Sequence, residues 1–154
     1  MDVVAYEVPG WGVGELYLAG ETLLYHELPR AGEVPGGLGG DGHPLVERMR
    51  AHFRGEPVSF DDVELDLDWM TPFQRAVADA LRAIPRGEVV TYGELAALAG
   101  YPNAQRAAGT FCAGNRFPVV VPCHRVVGAG GIGSYGSLGL EYKRRLLALE
   151  GVEA

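Results

Sequence analysis

Two helix-start signatures constrain this chain more than any other feature. Thr71-Pro72-Phe73-Gln74 and Thr91-Tyr92-Gly93-Glu94 each place a threonine three residues ahead of a Gln or Glu. That is the spacing of a capping box, in which the threonine hydroxyl and the later side chain satisfy each other's backbone N–H groups. Pro72 suits the first helical position, where an N–H would have no intrahelical partner. Behind the first box, Phe73, Val77, Ala80, Leu81 and Ile84 share one helical face, and Pro85-Arg86-Gly87 stops the helix. Val89-Val90 makes a brief extended link, and the second helix then runs through Leu95 and Leu98 to Gly100. A turn at Tyr101-Pro102-Asn103 leads into a further helix, 104–113, closed by Gly114. Helix, tight turn and helix form a helix-turn-helix arrangement. The small residues Ala104, Ala107, Ala108 and Gly109 allow two readings. They permit close packing on a neighbouring helix, or close approach to DNA with Arg106 as the one long cation.

The stretch before these helices has a different character. Glu15–Leu18 and Thr22–Tyr25 are short apolar runs around a turn signal at Ala19-Gly20, which predicts a hairpin. His26 stands at its end and reads as a surface residue. Residues 31–42 read as a flexible glycine-rich loop. Leu45, Val46, Met49 and Phe53 recur at helical spacing, and Phe60, Val63, Leu65 and Leu67 suggest an extended segment. His43 and His52 flank that helix, but no cysteine lies in this half and the spacing fits no zinc pattern, so no metal is expected. A boundary near Asp66–Trp69 divides the chain into an N-terminal α/β domain, 1–67, and a mainly helical domain, 68–154. The fold class is α/β in the α+β sense.

The 154 residues are 47% hydrophobic, enough for a real core. No apolar run is long enough to span a membrane, and Met1-Asp2-Val3-Val4 lacks the pattern of a signal peptide, so a cytoplasmic protein is expected. Cys112 and Cys123 are too few for a disulfide framework, and in a reducing setting one of them can be a nucleophile. The net charge of −7 at first argues against nucleic acid. Its distribution does not. Residues 1–68 carry 4 Lys/Arg and 14 Asp/Glu, whereas residues 69–128 carry 6 Arg and 3 Asp/Glu.

The basic segment contains Val119-Val120-Val121-Pro122-Cys123-His124-Arg125-Val126-Val127. A thiol attacks as the thiolate, so a nucleophilic Cys123 needs a base, a cation or a helix N-terminus beside it. His124 is adjacent, but neighbours in an extended chain point opposite ways, so contact requires a bend, a helical turn or a bridging water. A histidine in this role is oriented by a carboxylate, and Glu141 and Glu150 on the last helix are the candidates. Spacing alone favours a buried, inert Cys-His pair. The glycine-rich loop 128–136 can approach a ligand through its backbone but lacks a phosphate-loop sequence.

Pro122-Cys123-His124-Arg125-Val126, preceded by Gly114-Asn115 and Pro118, closely resembles the active-site signature of the O6-alkylguanine-DNA alkyltransferases. The likeness extends through Thr91-Tyr92-Gly93-Glu94-Leu95-Ala96 and Arg106-Ala107-Ala108-Gly109 to Tyr135 and Leu147-Ala148-Leu149-Glu150-Gly151. It implies repair of DNA by one irreversible transfer of an alkyl group from O6-alkylguanine to Cys123, after the base is flipped from the duplex. His124 would act as base through a water, oriented by Glu150, and Asn115 would support the turn. Tyr92 would serve the guanine ring. Arg106 would fill the vacated space, on a helix approaching from the minor groove. Thr91, Tyr92, Ala104, Ala107, Gly109, Cys112 and Arg125 would join it at the DNA. Backbone groups at Cys123 and Val126, with Tyr135 and Gly136, would hold the base. The implied protein is a monomer with no cofactor, no metal and no membrane partner.

The chain departs from the family pattern at Cys112, where a bulky apolar residue is common, and at Gly136, where serine is common. Its glycine loop is one residue shorter, and it lacks the N-terminal cysteines with which some relatives hold zinc. Two other classes compete. A binding module that only flags alkylguanine would lack the acceptor cysteine. A thiol hydrolase or oxidoreductase would turn over, and no Cys-x-x-Cys favours redox chemistry.

Overall fold

The computed structural model describes residues 1–33 and 37–154; residues 34–36, part of the expected loop 31–42, lie outside the described residues. By internal contacts the chain divides into two compact units, Met1–Asp66 with Arg116–Pro118, and Leu67–Asn115 with Val119–Ala154.

In the first unit, β1 (Asp2–Val8), β2 (Gly12–Ala19) and β3 (Thr22–Arg30) form an antiparallel meander. Ala19 pairs with Thr22, which places the hairpin turn at Gly20-Glu21. Leu16, Leu18, Leu23 and Leu28 are buried on the inward face. The loop expected over 31–42 contains a short strand, β4 (Leu38–Gly39), which pairs in parallel with Val4 and Ala5 of β1. Sheet-edge pairing uses backbone groups alone, so it leaves no periodic signature. The helix α1 (Pro44–Phe53) is capped by His43, whose Nδ1 accepts from the Leu45 N–H at 3.2 Å. It buries Leu45, Val46, Met49 and Phe53, and the Phe53 ring meets Trp11 edge-on at 4.8 Å. Of the extended segment expected near 60–67, only Leu65 forms a bridge, to Leu23.

His26 is a correction. It is 1% exposed, not a surface residue. The strand runs on to Arg30, so His26 lies mid-strand and shares the inward face with Leu28. Its Nδ1 is 2.7 Å from the Pro118 carbonyl oxygen and its Nε2 is 2.6 Å from Tyr6 Oη. A carbonyl only accepts, so Nδ1 carries the proton and Nε2 accepts from the tyrosine. The His26 backbone N–H also donates to Arg116 O at 2.9 Å. These bonds tie residues 116–118 to the sheet.

In the second unit both capping boxes form. Thr71 Oγ1 accepts from Gln74 N at 3.2 Å and Gln74 Oε1 from Thr71 N at 2.9 Å, opening α2 (Pro72–Arg82). The Thr91–Glu94 box does the same at 3.1 and 2.9 Å for α3 (Tyr92–Leu98). Asn103 turns the chain with a φ of 71°, a left-handed conformation that asparagine tolerates, and α4 (Gln105–Ala113) follows. Val77 and Leu81 of α2, Leu95 and Ala96 of α3, and Ala108 and Phe111 of α4 make the helical core. Val90–Thr91 (β5) pairs in parallel with Val126–Val127 (β6), which registers the start of α3 beside the end of the cysteine segment. The last helix, α5 (Gly139–Leu149), buries Lys143, Leu146 and Leu147.

Burial lowers the pKa of His26 from 6.5 to about 4. The unfolded chain therefore takes up a proton that the folded chain refuses, and stability falls as pH drops from 6.5 through 4. Denaturant titrations at pH 7 and pH 5 are expected to show this loss, and His26→Gln, which cannot titrate, to show a smaller one.

Candidate active site

The triple valine forms a buried bend. Val119 has a φ of 75°, a conformation costing a β-branched residue about 1–3 kcal/mol. Burial of Val119, Val120 and Val121 holds it there. The chain then makes one 3-10 turn, Cys123–Arg125, with Arg125 N donating to Pro122 O at 3.0 Å. That turn removes the opposed geometry of an extended Cys-His pair. Both side chains face the interior, with Cys123 5% and His124 0% exposed.

Three groups surround the thiol. Asn115 Nδ2 donates to Val121 O at 2.8 Å and lies 3.2 Å from Cys123 Sγ, so one amide braces the bend and faces the sulfur. The buried Tyr135 hydroxyl interacts with Sγ without a hydrogen bond of normal geometry. The ammonium of Lys143 acts on it electrostatically. Burial pushes the Cys123 pKa up, against the opposing pull of Asn115, Tyr135 and Lys143. The resting residue is a protonated thiol that needs a base to react.

The candidate base is the next residue in the chain. His124 Nε2 is 2.8 Å from Glu150 Oε2, with both side chains fully buried. A carboxylate only accepts, so the proton sits on Nε2 and Nδ1 is the basic nitrogen. Burial lowers the His124 pKa, and the Glu150 bond only partly offsets it. Of the two candidate carboxylates Glu150 takes this position. Glu141 is exposed and pairs with Arg144 at 2.9 Å.

Arg125, expected at the DNA, is turned inward. Its Nε donates to Glu150 Oε1 at 2.9 Å, its Nη2 to Oε2 at 3.0 Å and its Nη1 to Ile84 O at 2.6 Å. Its side chain is 13% exposed. Bidentate pairing with a buried carboxylate outcompetes an exposed phosphate contact, because the carboxylate would otherwise be left charged without a partner. Burial by itself would raise the Glu150 pKa, but the bonds from His124 and Arg125 hold it well below the usual carboxylate range.

Tyr92, half-buried, opens α3 beside Ser134, and burial raises the pKa of its phenol against the opposing pull of Ser134. It stays a neutral donor. A groove of about 900 Å³ is lined by Tyr92, Arg106, Gly109, Ala129, Gly133 and Ser134. Gly133 closes on the tyrosine: its φ is +86° and an added Cβ would lie 3.2 Å from Tyr92 Oη. On α4, Gln105, Arg106, Ala107 and Thr110 are exposed while Ala108 is buried, so one small residue packs inward and another lies on the open face. Arg106 also borders a second groove, of about 620 Å³, with Trp69, Phe73 and Phe111, and so stands between the two. Ala104 is half-buried, and the Thr91 hydroxyl is engaged in its cap. Cys112 is half-buried and burial pushes its pKa up, which makes it an unreactive thiol. Gly136, with a φ of 50°, starts a 3-10 turn.

Sequence reasoning missed Lys143. Its side chain is buried, and Nζ donates to the carbonyls of Val126, Ile132 and Ser134 at 2.5, 2.6 and 3.2 Å. It lies 6.0 Å from the centre of the Tyr92 ring. The Val126 carbonyl, expected to receive the base, thus already has one donor. The available signal was a lysine at a buried position of α5, in step with Leu146, Leu147 and Glu150. Among the described residues no cluster of three or more His, Cys, Asp or Glu could hold a metal, and no helix is long and apolar enough to cross a membrane.

A family model described as the DNA-binding domain of 6-O-methylguanine DNA methyltransferase matches residues 72–152. The chain belongs to this family. The methylated-DNA–protein-cysteine methyltransferase of Methanopyrus kandleri is 44% identical over 129 residues, covering 84% of this chain and 95% of the relative. The protein of the same name from Mycolicibacterium paratuberculosis is 40% identical over 156 residues, covering 96% and 93%. The crystal structure of Mycobacterium tuberculosis OGT in complex with DNA superposes with a TM-score of 0.82 at 37% identity, covering 97% of this chain and 92% of that one. Within the methyltransferase fold, Cys123, His124, Asn115, Glu150, Tyr92 and Tyr135 come together in one unit, and Arg106 lies on its exposed helix.

Lys143→Met removes the donor for three carbonyls that remain beneath the loop. Each buried group left unsatisfied costs about 1–3 kcal/mol, so a loss of about 3 kcal/mol in denaturant unfolding is expected. Faster amide exchange at residues 128–134 should accompany it.

Proposed function

We propose that the chain repairs DNA by moving an alkyl group from the O6 oxygen of guanine to Cys123, once per molecule. The observation that carries this reading is a buried thiol backed by a His124–Glu150 pair, in a unit whose exposed helix presents Arg106 beside an open groove. The helix-turn-helix binds duplex DNA from the minor groove, Arg106 takes the space of the extruded base, and the base enters on the Tyr92 side. His124 Nδ1 receives the thiol proton through a water. The sulfur lone pair forms the S–C bond as the C–O bond breaks, and the bonding pair passes to the guanine ring. Tyr92 donates a hydrogen bond to that ring as its negative charge develops; the ring then takes a proton from water, the His124 imidazolium returns the thiol proton to solvent, and the base leaves as neutral guanine. A thioether is not displaced by water at neutral pH, so the protein is consumed. The divided charge suits this role: acidic residues concentrate in 1–68 and the net positive segment carries the helix-turn-helix.

Incubation with duplex DNA containing O6-methylguanine should add the mass of one methyl group, on the Cys123 peptide, in a stoichiometric burst. Unchanged mass with tight binding to the lesion would instead identify a module that flags damage. Cys123→Ser should abolish transfer and leave DNA affinity within a few fold.

Arg106→Ala should slow transfer from duplex DNA by at least tenfold more than transfer from free O6-benzylguanine, since only the duplex requires extrusion. Equal losses on the two substrates would remove Arg106 from the flipping step.

A further inference from the structure

The Cys-His segment holds a residue that the alkyl-transfer chemistry has not used. Arg125 spends its guanidinium on the carboxylate that orients His124. We infer that Arg125 is a positioning residue that, by sharing Glu150, keeps His124 neutral with its proton on Nε2 and Nδ1 ready to accept from Cys123. The inference rests on the alkyl-transfer reading of the site.

The argument is one of charge count in a buried space. Glu150 carries one negative charge and Arg125 one positive charge that does not titrate. The pair is neutral, and a neutral His124 keeps it so. A proton added to His124 would leave an extra buried positive charge, with Lys143 of α5 adding its own repulsion. Without Arg125, Glu150 would keep only His124 and the Gly87 N–H, 3.5 Å away, and His124 would be its one ionisable partner. The favoured buried arrangement would then be a carboxylate and an imidazolium, and an imidazolium cannot take the thiol proton. Glu150 and Lys143 from α5, Arg125 from the 3-10 turn and the adjacent Cys123 are the ionisable groups acting here. Geometry adds a second function. Arg125 holds both carboxylate oxygens and is itself fixed by Ile84 O, so the plane that Glu150 offers to His124 is set from behind.

The test is the pH dependence of Cys123 alkylation by free O6-benzylguanine, which requires no DNA. In the native chain the acid limb should lie below pH 6.5. In Arg125→Met it should move up by about one pH unit or more, a tenfold gain in the proton affinity of His124. The variant should then be slow at pH 7 and recover toward the native rate by pH 9. Arg125→Lys, which keeps the charge, should restore most of the native profile. Nitrogen NMR of the imidazole gives a readout independent of activity. Native His124 should be neutral and Nε2-protonated at pH 7 and above, which also serves if Arg125→Met does not fold. An imidazolium in the native chain at pH 7 overturns the inference. So does an Arg125→Met rate reduced equally at all pH values, or a loss confined to DNA affinity. Native protein that takes no benzyl group would sink the alkyl-transfer reading instead, before Arg125 is tested.

Discussion

A single carboxylate shared between two donors supports the chemistry of this site. Glu150 sits at the C-terminal end of α5 and receives His124 on one oxygen and Arg125 on both. Burying a lone carboxylate costs several kcal/mol, roughly, and breaking a buried pair by removing one partner costs about 3–5 kcal/mol. Arg125 alone neutralises the charge, and His124 adds a hydrogen bond to it. Because the cation is an arginine, the histidine is not needed to neutralise the carboxylate. A pair formed by histidine and glutamate alone would trade basicity for charge balance.

The same helix supplies the second anchor. Lys143 and Glu150 are seven residues apart, two turns of α5, and so lie on one face. Lys143 gathers the carbonyls of Val126, Ile132 and Ser134, while Glu150 gathers His124 and Arg125. One helix thus braces both ends of the segment from Cys123 to Ser134. Leu146 and Leu147, fully buried between these anchors, hold the helix in place by ordinary apolar packing. The cost of a buried ammonium is met by carbonyl dipoles rather than by a counter-ion, which leaves its charge available to the thiol nearby.

An open groove lies on the Tyr92 side. The parallel pairing of β5 with β6 sets Tyr92 at the head of α3, level with the exit of the cysteine turn. Gly133 allows the loop to close on the phenol where a larger residue would collide. The helix-turn-helix then has two faces with different tasks. Ala108 and Phe111 anchor α4 in the core, and Arg106, Ala107 and Thr110 remain exposed. Small residues on the outer face keep the surface low around one long cation.

The helices were legible in the sequence because their signals are local. A capping box spans four residues, and a left-handed Asn103 or a terminal glycine acts where it stands. The reactive residues were legible through the motif around Cys123, with Asn115 eight residues before it. What was not legible depends on partners far along the chain. His26 meets Pro118 across 92 positions, Arg125 meets Glu150 across 25 and Ile84 across 41. No local pattern says which polar group will face a given histidine or arginine once both are excluded from water. For that reason His26 read as a surface residue and Arg125 as a DNA contact, and spacing alone left both Glu141 and Glu150 open where the family resemblance pointed to Glu150. The sequence by itself determined which helices form and which thiol stands next to a histidine, since propensity and chain order belong to the residues. Only the tertiary structure decided how the buried charges are paired, since desolvation makes an unpaired charge untenable and only the fold determines which partner is within reach.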